Sequence, residues 1–593
     1  MGKKMVKNYT WDLSKVFKSD EEYQSSLEKA YNLINELKSY KGKITKDSNS
    51  LYEFLVKSDE CSRLIEKIYV YSYLCYYDDG NNKLNKEKSL KASNLYDYYN
   101  ENLAFVRSEI LSCDYDALMK YFDVNEKLEK YRFSFEKMFR YKDYTLSEKE
   151  ENVIALAESS FGTSDEAYSA LNNLDINLGY IKINGKKQEL TNSNYSIFIK
   201  NPDRKVRKNA FNGLYNFYEK HINTISNLYV GSIKEHFFIS KVRGYKNPLN
   251  ASLYSDNISE DLFKTLIKCA NNNLSSLEEY MKLKNKHMGL KNAHMYDVYL
   301  MQENALSEKI SFDESIDIIC EALKPLGEDY QKTFKDIINK GCVDVYPKKG
   351  KRSGAYQWCS YDTPTYVSLN YVNDVSSVST FAHEMGHAIH SYYSNKKQDY
   401  IYASYPIFLA EIASTVNEIL LSEYLINNAS DDEKIIYICE FLEKARATIY
   451  RQVMFSEFES ICYDKYDNNI PLTKDELCNT YYELNKKYFG KSTISDEEIK
   501  YEWARIPHFY TPFYVYKYAT GFTCALIIAS KLLKGEEGFK EKYIEFLSSG
   551  CSDYPLEIIK KLGIDLENIN TLQSAFDYFN EKTNEFKKLI ERK

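Results

Sequence analysis

The sequence predicts a mainly α-helical protein. Three observations carry that expectation. Apolar residues recur at three- and four-residue steps, as in 26–40, where Leu27, Ala30, Tyr31, Ile34 and Leu37 mark one face. Only 10 prolines and 21 glycines interrupt 593 residues. Strand-like patterns are confined to two short segments. A chain this long can bury a large core and is expected to form more than one domain.

Amphipathic stretches fill the first 160 residues and resume from about 203. Between them, "INLGYIKINGKKQELT" alternates around Asn184-Gly185 and predicts a hairpin. Residues 348–362, "KKGKRSGAYQWCSYD", read as loop. The next segment, "TPTYVSLNYVN" (363–373), is β-branched and aromatic and predicts a strand. Extended peptides bind by adding to a strand edge, so Tyr366, Val367 and Leu369 are expected to contact a peptide.

Composition excludes several classes. The net charge of -7 favours neither nucleic acid nor an anionic membrane as partner. No apolar run approaches the length of a membrane span. "MGKKMVKNYTWDL" lacks a secretory h-region, and Val6 sits where a myristoylation signal needs a small hydroxyl residue. The 12 cysteines form no C-x-x-C pair, as expected of free thiols in a reducing compartment. A cytoplasmic location is expected.

The chemistry concentrates in "TFAHEMGHAIHS" (380–391). Three of the chain's 8 histidines fall there. Val378, Phe381, Ala382, Met385 and Ile389 give the segment helical spacing, so His383 and His387, at i and i+4, share a face. Both imidazoles can bind one zinc ion, and the adjacent Glu384 can serve its bound water as general base. Gly386 lies between the ligands, where a missing side chain lets another backbone approach. A catalytic zinc needs a third ligand. Glu411 follows His387 by 24 residues, on a predicted helix among Leu409, Ala410, Ile412 and Ala413. A carboxylate in such surroundings is costly to bury unless it is paired or bound to a cation. Glu418, seven residues on, shares its face and is expected to orient a ligand imidazole. With three ligands supplied, His390 is read as supporting the ligands or facing substrate. Far downstream, "YEWARIPHFYTPFYVYKYATGF" (501–522) brings His508 together with Tyr510, Tyr514 and Tyr518. These are donors suited to a developing oxyanion.

Taken together the chain resembles the oligoendopeptidase F branch of the thimet oligopeptidase-like (M3) zinc peptidases. The resemblance rests on "TWDLSKVF", "NPDRKVRKNAFNGLYNFY", "FAHEMGHAIHS", "FLAEIASTVNE", "RIPHFYTPFYVYKYATG" and "YPLEIIKKLGIDL", in that order along the whole chain. It implies two helix-rich halves around a deep substrate channel, with a small β-sheet beside the zinc-binding helix. It implies an N-terminal helical region (1–110), an oligoendopeptidase F-type N-terminal domain with a hairpin (111–200) and an M3-type catalytic domain (201–593). By matching motif positions it implies His383, His387 and Glu411 as ligands of one Zn2+ per chain, Glu384 as general base and His508 near the scissile carbonyl. Tyr510, Tyr514 and Tyr518 all match its oxyanion-stabilising tyrosine. Zinc-dependent cleavage of internal bonds in short unstructured oligopeptides follows. The alternative is a zinc-containing peptide-binding protein with little turnover, and the intact Glu384 argues against it.

Overall fold

Side-chain caps start many of the helices. Ser19, Asp47 and Asn82 each accept a backbone N–H at the start of the helices Asp20–Lys38, Ser48–Asp78 and Lys83–Leu103. The predicted apolar face of the first is buried at Leu27, Ala30, Ile34 and Leu37, while Tyr31 lies at its margin against Tyr98. The computed structural model describes residues 9–158, 160–183, 185–302 and 309–592. Asn184 of the predicted hairpin and the N-terminal residues up to Asn8, with Val6 among them, lie outside these. The architecture is mainly α, with two small sheets among the described residues. No helix among the described residues is long and apolar enough to cross a membrane.

The chain divides into two compact units, each assembled from three separate segments. The first comprises Met1–Asp143, Ser307–Tyr424 and Lys531–Gly563. It contains the three helices above and a sheet of β3 (Val343–Asp344), β4 (Tyr356–Trp358) and β5 (Tyr366–Ser368), in the order β3-β5-β4. β3 runs parallel to β5, and β4 antiparallel, with Gln357 opposite Val367.

This sheet corrects two expectations. The strand predicted over 363–373 shrinks to β5 and is the central strand, so it has no free edge. The Val367 and Leu369 N–H groups donate to Cys342 and Asp344 carbonyls at 2.8 Å, and the Trp11 indole donates to the Val367 carbonyl. Tyr366, Val367 and Leu369 are buried and cannot meet a peptide. The edge strands are β3 and β4, and β4 lies inside the segment read as loop. Three residues are too few to show a two-residue period.

The second unit comprises Tyr144–Leu306, Leu425–Ser530 and Ile564–Lys593. Its longest element is the 40-residue helix Arg204–Arg243, about 60 Å at 1.5 Å per residue. Gly244, at φ +84°, ends it in the left-handed conformation that glycine adopts without strain. Near its start, Arg207 and Arg204 both reach the buried Asp297 carboxylate at 2.7 Å. β1 (Tyr180–Ile183) and β2 (Lys186–Glu189) form the antiparallel hairpin expected there.

Candidate metal centre

The helix Val375–Lys397 carries the histidine run. Asp374 caps its start, accepting the Ser377 N–H at 2.7 Å. Four residues apart, His383 and His387 face one point, their Nε2 atoms 3.2 Å from each other. The helix Ile407–Asn428 brings Glu411 to the same point. Its Oε2 lies 3.5 Å from His383 Nε2 and 3.6 Å from His387 Nε2. The helices approach this closely because Gly386 has no side chain. A Cβ there would stand 2.5 Å from the Ser414 Cα. Asn417 ties them further, donating to the Ala382 carbonyl at 3.2 Å while accepting from the buried Tyr330 hydroxyl.

Hydrogen bonds on the far side of each ring fix the tautomers. His383 Nδ1 is 2.6 Å from Glu418 Oε1, and Ser379 donates to the other Glu418 oxygen. The Ala410 carbonyl accepts from the His387 ring. Both Nε2 lone pairs therefore turn inward, toward each other and toward a carboxylate oxygen. Three electron-rich atoms this close repel one another unless a cation lies among them. Zinc at 2.0–2.1 Å from each ligand would place tetrahedral donors about 3.3–3.4 Å apart. The observed edges of 3.2, 3.5 and 3.6 Å fit that triangle. Among the described residues this trio is the one cluster of metal-ligating groups.

The charges differ around the ring. Burial pulls the His383 pKa down, but Glu418, with Glu384 and Glu411, carries it above its ordinary value. Burial and the neighbouring His383 depress that of His387. Glu384 is buried beside the trio without joining it. Burial raises its pKa to about 7, opposed by His383 and reinforced by Glu411 and Glu418. The Gln357 backbone N–H, on edge strand β4, donates to it. Gln357 has no sequence signal, because its contribution is a main-chain group.

His390 is neither a ligand nor substrate-facing. It is buried, stacked on Tyr405 at 3.7 Å, with Phe546 beyond, and burial lowers its pKa to about 3. Its period on the helix points it into the core, one turn past the ligand face.

The second unit holds the downstream constellation. His508 and Tyr514 rings lie parallel, 5.8 Å apart, and the Tyr518 hydroxyl is 3.5 Å from His508 Nε2. Burial, then the charge of Arg451, lowers the His508 pKa. Tyr510 does not join them. It ends the 3-10 turn Pro507–Tyr510 and stacks on Tyr168 at 4.5 Å in the core. The helix begins only at Tyr516, so Tyr510, Tyr514 and Tyr518 do not share a face. Phe513, at φ +52°, makes the intervening bend, and its N–H donates to buried Glu459 at 2.6 Å.

Similarity to known proteins agrees with this geometry. The family model described as Peptidase family M3 matches residues 197–578, and that described as Oligopeptidase F matches 109–177. Oligopeptidase PepF of Bacillus subtilis is 38% identical over 583 residues, covering 98% of this chain and 87% of the relative. Group B oligopeptidase PepB of Streptococcus agalactiae is 35% identical, covering 98% and 97%. The crystal structure of oligoendopeptidase-F from Enterococcus faecium superposes with a TM-score of 0.74 at 31% identity, covering 97% of this chain and all of that one. With its histidines and Glu411 gathered on two crossing helices and its sequence matched along nearly its whole length, the chain belongs to peptidase family M3, in the oligoendopeptidase F branch, and is a metalloendopeptidase.

Proposed function

We propose that this metalloendopeptidase is a zinc enzyme that hydrolyses internal bonds of short, unstructured oligopeptides, with Glu384 as general base. The observation that carries the reading is the donor triangle of His383, His387 and Glu411, sized for zinc, with a buried carboxylate of raised pKa beside it. The relatives named as oligopeptidases supply the substrate class.

His383, His387 and Glu411 would hold the ion, and Glu418 keeps the His383 lone pair directed at it. Zinc supplies Lewis acidity, lowering the pKa of water and polarising a carbonyl. Glu384 takes the proton of the attacking water and later delivers it to the leaving amine. Burial, which raises its pKa, favours its holding that proton between the two transfers. His508, with Tyr514 and Tyr518, donates to the carbonyl oxygen as it gains charge, a role supported by the match of "RIPHFYTPFYVYKYATG" to the family motif. The peptide pairs with the edge of β4. The 12 cysteines, all free, suit the cytoplasm.

The test is zinc analysis together with peptide digestion. The native protein should carry one zinc, create new peptide termini seen by mass spectrometry, stop on chelation and recover with zinc. Glu384→Gln should keep its zinc and lose about 10²–10⁴-fold in kcat. Substantial turnover by the zinc-loaded variant would remove Glu384 from the role.

A further inference from the structure

The helices Asp431–Ala445 and Arg451–Asp467 are joined by a π-helical turn, Arg446–Tyr450. An i→i+5 turn brings residues five apart onto nearly one face. Arg446 and Arg451 accordingly both approach Tyr299. Arg446 has its own partner, Glu443, at 3.0 Å. Arg451 pairs with Glu502 Oε1 at 2.7 Å, and the Tyr481 hydroxyl donates to Glu502 Oε2 at 2.6 Å. Both oxygens of that carboxylate are engaged.

A second cation stands beside Glu502. Arg505 closes the 3-10 helix Glu497–Arg505, one turn further on. Its guanidinium makes no hydrogen bond or ion pair to another described residue. Its neighbours are rings. Tyr195 lies 5.5 Å from the guanidinium carbon, and Tyr215 and Tyr299 are also close. The hydroxyls of these three tyrosines make no hydrogen bond to another described residue. A guanidinium brings five N–H donors, and Arg505 is half-buried, so part of its hydration is lost with no protein acceptor to replace it. Here two arginines stand beside one carboxylate, and Arg451 alone of the two bonds to it.

We propose that Arg505, backed by Arg451 and ringed by Tyr195, Tyr215 and Tyr299, binds a carboxylate of the peptide, the C-terminal one. The planar fork matches a carboxylate bidentately, and the tyrosine hydroxyls add donors. The C-terminus is the anion every linear oligopeptide carries whatever its sequence. This rests on the reading of the chain as an oligopeptidase. Arg451 is also among the groups that depress the His508 pKa, which places the arginine pair near that histidine.

The experiment is calorimetric titration of zinc-loaded Glu384→Gln protein with one nonapeptide as free acid and as C-terminal amide. The free acid should bind about tenfold or more tightly, as a charge-assisted bidentate pair does over a neutral contact. Arg505→Gln should abolish the difference, and Arg505→Lys should restore only part of it, a point charge without the fork. Equal affinities for acid and amide, with no effect of changing an internal Glu to Gln, overturn the proposal. An acid–amide difference that survives in Arg505→Gln overturns the site. If amidation is silent but the internal Glu matters, the assignment to the C-terminus is overturned. Should Arg505→Gln not fold, the acid–amide ratio on the parent protein decides. Turnover is never read, so a failure of zinc catalysis leaves this result standing on its own.

Discussion

Glu384, Glu411 and Glu418 surround the same two imidazoles and do three different things, and the difference lies in what else touches each. Glu411 presents one oxygen to both Nε2 atoms. Glu418 meets His383 from behind, at Nδ1. Glu384 is buried against a backbone N–H, which leaves a carboxyl able to take up and release a proton near neutrality. Because Glu418 raises the His383 pKa, protons compete for that ring at higher pH than for an ordinary histidine, and metal retention should fall as pH drops through it. Glu418→Gln should lose metal to a chelator about 10–100-fold more readily, the usual cost of removing such a partner. Metal content after timed chelation, measured across pH, reads both effects. Unchanged retention would mean that Glu418 does not orient His383.

At the scale of elements, the metal centre depends on two helices approaching more closely than a side chain permits. Gly386→Ala would drive a methyl into the Ser414 backbone. The expected cost is about 1–3 kcal/mol, as in other overpacked cores, with weakened metal binding. Thermal melting with and without zinc checks it, and a variant as stable as the parent would show that the helices can part freely. In the second unit, Glu443 anchors the helix Asp431–Ala445 to Arg446 and Lys284. Burial opposes its ionisation, but Arg446 and Lys284 overcome this and hold its pKa down to about 2. A depressed carboxylate pKa stabilises the fold above its unfolded value near 4.5 and is lost as pH falls toward 2. The contribution is about 3 kcal/mol for a fall from 4.5 to about 2. Denaturant titrations from pH 5 to pH 2 should therefore be flatter for Glu443→Gln, which should also be destabilised at neutral pH. A parallel pair of profiles would contradict the linkage.

On the scale of the whole molecule, each unit is built from three stretches of chain, so neither can be cut out as one continuous piece. The first unit closes with 531–563. There Phe546 packs on His390, and the Ser548 carbonyl accepts from Gln398. A fragment ending at 530 would lose these contacts behind the histidine helix. It should melt well below the full chain and bind zinc weakly, as circular dichroism and metal analysis would show. Normal zinc binding by that fragment would place the support of the site elsewhere.

The sequence by itself determined the His–His–Glu donor set and the helical class. Four-residue spacing on a helix leaves His383 and His387 little choice but to share a face, and Glu411 lies one helix further on, although its side chain is partly exposed rather than buried among its apolar neighbours. Caps, apolar periodicity and scarce prolines did the same for the helices. Tertiary structure alone decided which groups those elements meet. β5 lies in a β-branched, aromatic stretch and is buried at the centre, whereas β4, equally short but within a Gly- and Ser-containing segment, holds one edge. Tyr510, Tyr514 and Tyr518 look equivalent at four-residue steps, until the bend at Phe513 sends Tyr510 into the core and leaves the other two beside His508. Local patterns follow from backbone geometry within a few residues. Edges, ring stacks and the unmatched charge of Arg505 follow from residues far apart in sequence, whose meeting no local pattern records.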